Sequence, residues 1–386
     1  MPRAPQSFDV LIIGAGPSGA AAAMTARRAG LSTALIDKAA FPRAKLCGGL
    51  VTGRARTQYR EIFGGELDPD LFQPHREIAF YADGTQLGAV ERTPTLYLTM
   101  RWDMDAHLLD LALAEGVADF TGRRIDQIDT ETPSVTLEDG TLLSGQILIG
   151  ADGVNSAVAR ALFGRAFDPA RIGFALEIEA PAGPASDMIR IDFDAASWGY
   201  GWRFPKTRST TIGVGGLQTP NPDIKARLSA YRAALGNDGP CPVKGHFLPF
   251  GDFRRMPGRD RVLLAGDAAG LVDPITGEGI AHALQSGAAA GAAAAAAIAS
   301  GRPHTALPRY RRALRPLHRG LRMAVCLRPL IFAPRLNPLF CHAFARSSVL
   351  KGAYLRLLAG EVEYPGLCLL VLRRLPGTAL RYLKHR

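Results

Sequence analysis

Asp9-Val-Leu-Ile-Ile13-Gly14-Ala-Gly16-Pro-Ser-Gly19 is the stretch from which the fold follows. A continuous apolar run such as Val10 to Ile13 suits a strand buried on both faces, as in a parallel sheet covered by helices. Three glycines then interrupt it, and an Ala-rich segment from about Ala20 to Ala29 continues as a helix. This is the spacing of a dinucleotide-binding turn. Gly14 permits the tight turn, Gly16 keeps a Cβ away from a pyrophosphate, Gly19 lets helix and strand pack closely, and the helix N-terminus faces the anion. The motif alone is weak evidence, but its flanks agree. Ser32-Thr-Ala-Leu-Ile36 reads as the second strand, and Asp37, followed by Lys38, stands at its tip, where a carboxylate accepts hydrogen bonds from a ribose diol.

Two later segments point to FAD rather than a nicotinamide cofactor. Leu148-Ile-Gly-Ala-Asp152-Gly153 has a strand-then-turn form, and Arg261-Val-Leu-Leu-Ala-Gly266-Asp267 repeats it, followed by Pro274-Ile-Thr-Gly277-Glu-Gly279-Ile280. Either alone reads equally well as a strand ending in an Asp-Gly turn. In this order they complete a flavin site: Asp267 suits a ribityl or ribose hydroxyl. The NH groups of Gly277 to Ile280 would point a positive helix terminus at the flavin N1/O2 edge, where negative charge collects on reduction.

Between these halves lies Tyr200-Gly-Trp202-Arg-Phe204-Pro205, followed by Gly213-Val-Gly215. Alternation at 200, 202 and 204 places three rings on one side of a strand. Ordinary aromatics of a sheet core would show the same spacing; flanked by a flavin site, they also suit an apolar substrate wall.

With these residues in view, the chain resembles the geranylgeranyl reductase family, within the class that shares its fold with para-hydroxybenzoate hydroxylase. The resemblance spans roughly residues 7 to 300. It rests on the turn at Gly14 to Gly19, the Lys45-Leu-Cys47-Gly48-Gly49 loop, Asp152-Gly153, the Tyr200-x-Trp202-x-Phe204-Pro205-x7-Gly213-x-Gly215 signature and Gly266-Asp267. Members of that family use FADH2 to reduce isolated double bonds of isoprenoid chains, in archaeal lipids, chlorophyll side chains, menaquinone tails or related molecules. The resemblance implies that Tyr200, Trp202, Phe204 and Pro205 contact the prenyl chain, that Cys47 and Gly48 lie beside the flavin, and that Arg101 is an arginine near the FAD. Cys47 is the candidate catalytic residue: its thiol either donates the proton that completes alkene reduction or only shapes the pocket, and a buried thiol on a glycine turn is equally an inert small hydrophobe. An arginine at a helix start, taken alone, is more often a surface residue.

Other activities share the scaffold. A flavin monooxygenase or hydroxylase is one, and an electron-transfer flavoprotein acting on quinone is another. Trp198-Gly-Tyr-Gly-Trp202-Arg-Phe-Pro distantly resembles the halogenase Trp-x-Trp-x-Ile-Pro motif, with Phe204 where isoleucine would stand. One glycine fingerprint leaves no second nucleotide domain, so NADPH docking transiently or a ferredoxin-like donor is the expected electron source.

At 386 residues, 47% hydrophobic and 21% charged, the chain can bury a large core, which excludes disordered and fibrous classes. Five scattered cysteines without a CxxC pair or secretory signal suggest reduced thiols and a cytoplasmic setting. No metal site is expected, and His282, His304, His318 and His342 read as surface or capping residues. The net charge of +11 is uneven: residues 301–386 hold 17 Lys and Arg against Glu361 and Glu363, a net +15, leaving the first 300 residues at −4. That segment interleaves arginines with apolar runs such as Leu330-Ile-Phe-Ala, Tyr354-Leu-Arg-Leu-Leu and Leu367-Cys-Leu-Leu-Val-Leu-Arg-Arg, each shorter than the ~20 residues that span a bilayer. Peripheral contact with the inner face of a membrane fits this pattern, as does a helical subdomain with a solvated basic face, or docking of an acidic electron donor. No nucleic-acid recognition fold is visible.

The expected architecture is α/β, a Rossmann-like FAD-binding domain with an inserted antiparallel-sheet substrate domain and a C-terminal helical region. The flavin domain is discontinuous, over 1–75, 100–168 and 255–320. Segments 76–99 and 169–254 form the substrate-binding sheet, and 321–386 the basic helical region. The partners expected are an isoprenoid lipid or a prenylated pigment or quinone.

Overall fold

A computed structural model of the protein describes residues 5–182 and 188–369; the basic run from Leu370 to Arg386 lies outside the described residues. The apolar strand Gln6–Ile13 sits in the middle of a parallel sheet, between Leu142–Gly150 and Thr33–Asp37. From one edge the order is Gly258–Arg259, Val262–Leu264, Leu142–Gly150, Gln6–Ile13, Thr33–Asp37 and Ala118–Thr121, with a hairpin, Ile125–Asp129 and Ser134–Leu137, laid antiparallel on Leu142–Gly150. Val10, Leu11 and Ile12 are fully buried, as a strand covered on both faces requires.

Helix Pro17–Arg28 follows the glycine turn, and the Ala-Gly helix Ile280–Ala299 lies against it. The sequence suggests close packing of that second helix on the sheet; its intimate partner is instead the first helix. A Cβ at Gly287 would sit 2.1 Å from the Ser18 carbonyl oxygen, and one at Gly291 2.6 Å from that of Ala22. Backbones this close leave room for hydrogen alone. Among the described residues no helix is long and apolar enough to cross a membrane.

A second sheet has seven strands in the order Lys244–Leu248, Gly173–Pro181, Ser209–Leu217, Gly199–Pro205, Ile189–Asp192, Ile78–Ala82 and Thr85–Val90. It is antiparallel except for Ile189–Asp192 beside Ile78–Ala82, which run parallel. Strand Leu96–Leu98 does not join it but forms a small third sheet with Leu50–Val51 and Gln73–His75. Period-two alternation gives the large sheet two different faces. Leu176, Ile178, Ile212 and Val214 pack under helix Ile224–Ala234 through Ile224, Leu228 and Tyr231. The intervening residues, Tyr200, Trp202 and Phe204 among them, look the other way.

Helices Arg315–Phe332, Asn337–Arg346 and Ser348–Ala359 cover the outer part of that second face: Phe332, Phe344, Tyr354, Leu357 and Leu358 are buried in one core with Phe80, Ile191 and Phe193. These apolar residues are therefore spent on the protein's own core, while Val325 and Val349 of the same helices are exposed. Two of its cations are also used internally. Arg328 donates to the carbonyls of Phe250 (3.1 Å) and Trp198 (2.9 Å), and Lys351 to that of Ala345 (2.7 Å). Two histidines read as surface or capping residues are buried, His282 at 5% exposure on the Ala-Gly helix and His318 at 9%; His318 lies against the Phe253 ring, a contact that the periodicity of a single helix does not reveal. The α/β class, with a Rossmann-type sheet, an inserted sheet and C-terminal helices, is as the sequence suggests.

Candidate functional site

The first glycine turn is built by close approach. Gly14 has φ 101°, and a Cβ there would lie 2.3 Å from the Ala151 carbonyl oxygen; a Cβ on Gly19 would lie 1.7 Å from that of Gly14. Only glycine fits at either position. A Cβ on Gly16 would meet nothing nearer than the Arg43 guanidinium at 3.4 Å, so the backbone there is open to a ligand. Asp37, at the tip of the second strand, accepts hydrogen bonds from the Ala15 amide (2.9 Å) and the Ala39 amide (2.9 Å), tying the two strand ends together, while exposed Lys38 follows at the cavity rim.

From this turn a cavity of about 700 Å³ runs along the end of the parallel sheet to the second face of the inserted sheet. Gly14, Asp37, Cys47, Arg101, Asp267 and Trp202 all line it. Arg101 is no surface residue. At 9% exposure it makes a bidentate pair with Asp105, one turn on, at 2.7 and 2.8 Å, and Asp105 also meets Arg43 at 3.2 Å. Burial alone would lower the Arg101 pKa; the Asp105 carboxylate and the Cys47 sulfur, to which Arg101 hydrogen-bonds, more than reverse that.

The Lys45 to Gly49 loop crosses the middle of the cavity. Gly49 (φ 78°) donates its N–H to the Cys47 Sγ at 3.4 Å, and the Cys47 N–H is donated to Glu177 Oε1 at 2.9 Å. Lys45 Nζ lies 2.7 Å from Nε2 of His246, whose pKa burial and the Lys45, Arg101 and Arg43 charges push down to about 3. His246 is therefore a neutral acceptor for the Lys45 ammonium, whose own pKa burial lowers. Gly48 has no space for a side chain: its Cβ would stand 2.6 Å from the Phe204 ring.

The aromatic signature becomes intelligible through strand register. Tyr200 pairs with Gly215 and Trp202 with Gly213 on the neighbouring strand, so the glycines lie directly beside the rings. A Cβ at Gly213 would be 2.3 Å from Trp202 Cζ2, and one at Gly215 3.3 Å from Cζ3; the indole lies over a strip of bare backbone. Trp202 stands 5.9 Å from the Tyr200 ring and 6.4 Å from that of Phe204, and Pro205 is buried at the end of the row. Tyr200 donates its hydroxyl to the Thr276 carbonyl at 2.7 Å, anchoring this wall to the Gly277 turn. Burial first, then the Asp273 and Cys47 charges, raise its pKa, so it stays a neutral donor.

That turn only partly matches expectation. The Gly277 amide is donated to the Asp273 carbonyl (3.0 Å) and the Glu278 amide to the Thr276 hydroxyl (3.2 Å). The free donors are one step further along: Gly279 caps helix Ile280–Ala299, and the amides of Gly279 and Ile280 have no acceptor among the described residues. Gly266 (φ 59°) opens a 3-10 turn, its amide donated to Ser286 Oγ at 2.9 Å. Asp267 behind it is half-buried, and its carboxylate makes no hydrogen bond among the described residues. Asp152, a candidate cofactor residue, lines the cavity beside Gly153 and has a second task. It accepts from the Ser156 hydroxyl (2.5 Å) and the Ala157 amide (2.6 Å), and so caps helix Ala157–Phe163.

An FAD fits these residues. The backbone over Gly16 is open, a partnerless Asp267 carboxylate awaits a hydroxyl, and unpaired amides at Gly279 and Ile280 await an anion. Sequence reasoning missed Glu177, His246, Arg43 and Asp105. The Arg101-x3-Asp105 spacing was a visible i,i+4 pair. Glu177 sits in Leu176-Glu177-Ile178-Glu179, which reads as ordinary solvent-facing alternation until the Lys45 to Gly49 loop lies over that face.

A family model described as FAD dependent oxidoreductase matches residues 9–72. The menaquinone reductase of Mycobacterium tuberculosis is 30% identical over 393 residues, covering 92% of each chain. Digeranylgeranylglycerophospholipid reductase 3 of Methanosphaera stadtmanae is 31% identical over 334 residues, 76% of this chain and 78% of that one. In structure the chain is similar to a geranylgeranyl bacteriochlorophyll reductase-like protein from Thermoplasma acidophilum, with a TM-score of 0.75 at 21% identity over 95% of this chain and 99% of that one, a likeness of fold. Identity at this level across most of both chains, together with the matched first turn, shows that the protein belongs to the geranylgeranyl reductase family and is an FAD-dependent oxidoreductase.

Proposed function

We propose that this oxidoreductase hydrogenates C=C bonds of an isoprenoid chain. The observation that carries the reading is a single cavity with the dinucleotide turn at one end and the Tyr200, Trp202 and Phe204 face at the other. Relatives named for reducing menaquinone and digeranylgeranylglycerophospholipid support a prenyl-bearing substrate.

In this reading Gly14, Gly16 and Gly19 with the first helix hold the pyrophosphate, Asp37 and Lys38 lie toward the adenosine ribose, and Gly266-Asp267 meets the ribityl chain. Gly277 shapes the last turn, and the unpaired amides of Gly279 and Ile280 would hold the N1/O2 edge of the flavin. The chemistry that reduced FAD supplies when bound is delivery of a hydride to one carbon of the double bond. The chain's own residues do the rest. Tyr200, Trp202, Phe204 and Pro205 offer an apolar wall against which a prenyl chain excludes water, and the glycine strip under Trp202 sets the depth of that wall. Gly48 and Gly49 let the Cys47 loop lie flat beside the rings, and Arg101 fixes the Cys47 sulfur from the other side. Electrons enter from NADPH or a ferredoxin-like donor; the basic C-terminal region suits an acidic donor or an anionic membrane surface.

The test is anaerobic. Reduced enzyme mixed with a geranylgeranyl lipid or menaquinone should be reoxidised as the prenyl chain gains two hydrogens per step, read by mass spectrometry. Cys47→Ser should keep FAD and lose most of this turnover, because the smaller oxygen does not fill the place between the Gly49 amide and the Arg101 guanidinium that shapes the pocket. Reoxidation by a quinone with no change in chain mass would identify an electron-transfer flavoprotein, and product formation that requires oxygen a hydroxylase; either refutes the proposal.

A further inference from the structure

Alkene reduction needs a proton as well as a hydride, and most ionisable groups of the cavity have their protons committed. Tyr200 donates to the Thr276 carbonyl, Lys45 faces His246 Nε2, and Glu278 is engaged by the Thr52 hydroxyl and the Arg54 guanidinium; outside the lining, Lys206 donates to Thr211 Oγ1 at 2.6 Å. The Cys47 sulfur receives the Gly49 N–H and faces the Arg101 guanidinium, which can only donate, so the site uses that sulfur as an acceptor.

Glu177 is different. It is 6% exposed and lines the cavity. Glu177, Gly213 and Trp202 form one cross-strand row, so the carboxyl shares the face of the indole with only a glycine between them. The Cys47 amide holds Oε1 at 2.9 Å, which fixes the group's orientation, while Oε2 is buried without a hydrogen-bond partner. A carboxylate stranded in this way is costly; a carboxylic acid is far less so.

We propose that Glu177 is a catalytic acid of this enzyme, giving its carboxyl proton to the second carbon of the double bond. The assignment rests on the isoprenoid-reductase reading and deepens it. The step balances: the π bond breaks, one carbon gains a hydride from reduced FAD and the other a proton from Glu177. Two C–H bonds form, FAD is left oxidised by two electrons, and the Glu177 carboxylate recovers its proton from water before the next turnover. Burial supports the role by pushing the Glu177 pKa up to about 7, against the Cys47 amide and the Lys206 charge; Glu179 adds to the rise and Lys45 opposes it. Lys244, opposite Glu177 on the edge strand, is exposed, and His246 on the same strand is neutral.

Glu177→Gln keeps size and the bond from Cys47 but has no acid. It should bind FAD and a geranylgeranyl lipid as the wild type does, yet turn over about 10²–10⁴-fold more slowly. The wild-type fall in kcat above about pH 7 should vanish in it. A second readout needs neither cofactor nor turnover: in FAD-free wild-type protein, infrared difference spectra should show a carboxylic acid C=O band titrating near pH 7 that is missing from Glu177→Gln. Glu177→Asp, an acid set back by one methylene, should retain the titrating band with intermediate turnover, and covers the case in which the Gln variant fails to fold. Wild-type kcat and pH profile in Glu177→Gln, or no titrating band assignable to Glu177, overturns the assignment while leaving the isoprenoid reading intact. A wild-type enzyme that reduces no isoprenoid refutes that reading and this assignment together.

Discussion

Replacing Gly213 by alanine tests whether the aromatic wall is held by bare backbone. Gly213 lies in an extended strand with no positive φ, so alanine meets no backbone strain, and its effect comes from packing alone. The new Cβ would lie 2.3 Å from Trp202 Cζ2 and 2.5 Å from Cε2, against the 3.5 to 4.0 Å of ordinary carbon contacts, so the indole must retreat by more than about 1 Å. It has little room to do so. The Leu176 carbonyl oxygen is 2.9 Å from the same Cβ position, and the Gly48 loop closes over Trp202 and Phe204. Overpacking of this kind costs about 1–3 kcal/mol, while a Gly-to-Ala change returns about 0.4–1 kcal/mol through the unfolded chain. The clash wins, and a net loss of about 1–2 kcal/mol in urea unfolding is expected, with weaker binding of a geranylgeranyl lipid. Gly215→Ala, whose Cβ would stand 3.3 Å from Trp202 Cζ3, should cost less. Trp202→Phe added to Gly213→Ala removes part of the indole and should recover some of the loss, a coupling of about 0.5–2 kcal/mol in a double-mutant cycle. A Gly213→Ala protein as stable as the wild type, or strictly additive changes in the cycle, would refute the reasoning.

The flavin end and the buried carboxyls give two further tests. Asp267→Ala should leave the fold intact, because the carboxylate makes no hydrogen bond among the described residues, yet weaken FAD about 10–100-fold through loss of one charge-assisted hydrogen bond; equal affinities in a flavin-fluorescence titration would exclude Asp267 from the site. Glu278, beside Thr52 and Arg54, has its pKa pushed up to about 7, chiefly by burial. The folded state therefore holds this proton more tightly than the unfolded chain, so the stabilisation is complete below the ordinary glutamate value of 4.5, declines as pH rises and is gone above about 7. At about 1.4 kcal/mol per pH unit the ceiling is about 3 kcal/mol. Glu278→Gln should thus have a flatter stability–pH curve between those limits, and parallel curves for the two proteins would contradict the shift.

The nucleotide half of the protein was legible because its constraints are local. The buried strand to Ile13, the glycines at 14, 16 and 19 and Asp37 at the next strand tip each answer to backbone geometry within a few residues. The aromatic strand was legible for the same reason, since alternation alone puts Tyr200, Trp202 and Phe204 on one face. What lies against that face was not. Glu177 is about 25 residues away in sequence, in an alternating strand whose polar positions look solvated, and only the register of three strands brings it level with Trp202. Asp152 shows a contact that the motif did not reveal: its carboxylate lines the cavity and also holds the first amides of its own helix. The basic region was read as either a membrane-facing surface or a helical subdomain with a solvated basic face; that its Phe344, Tyr354 and Leu358 are buried on the inserted sheet was not legible. By itself the sequence determined where the backbone must turn, which segments are buried and the class of cofactor, since these follow from short-range sterics and periodicity. Tertiary structure alone decided which ionisable groups lose water and which partners they keep, because desolvation depends on every element that packs around a group, and those elements come from distant parts of the chain.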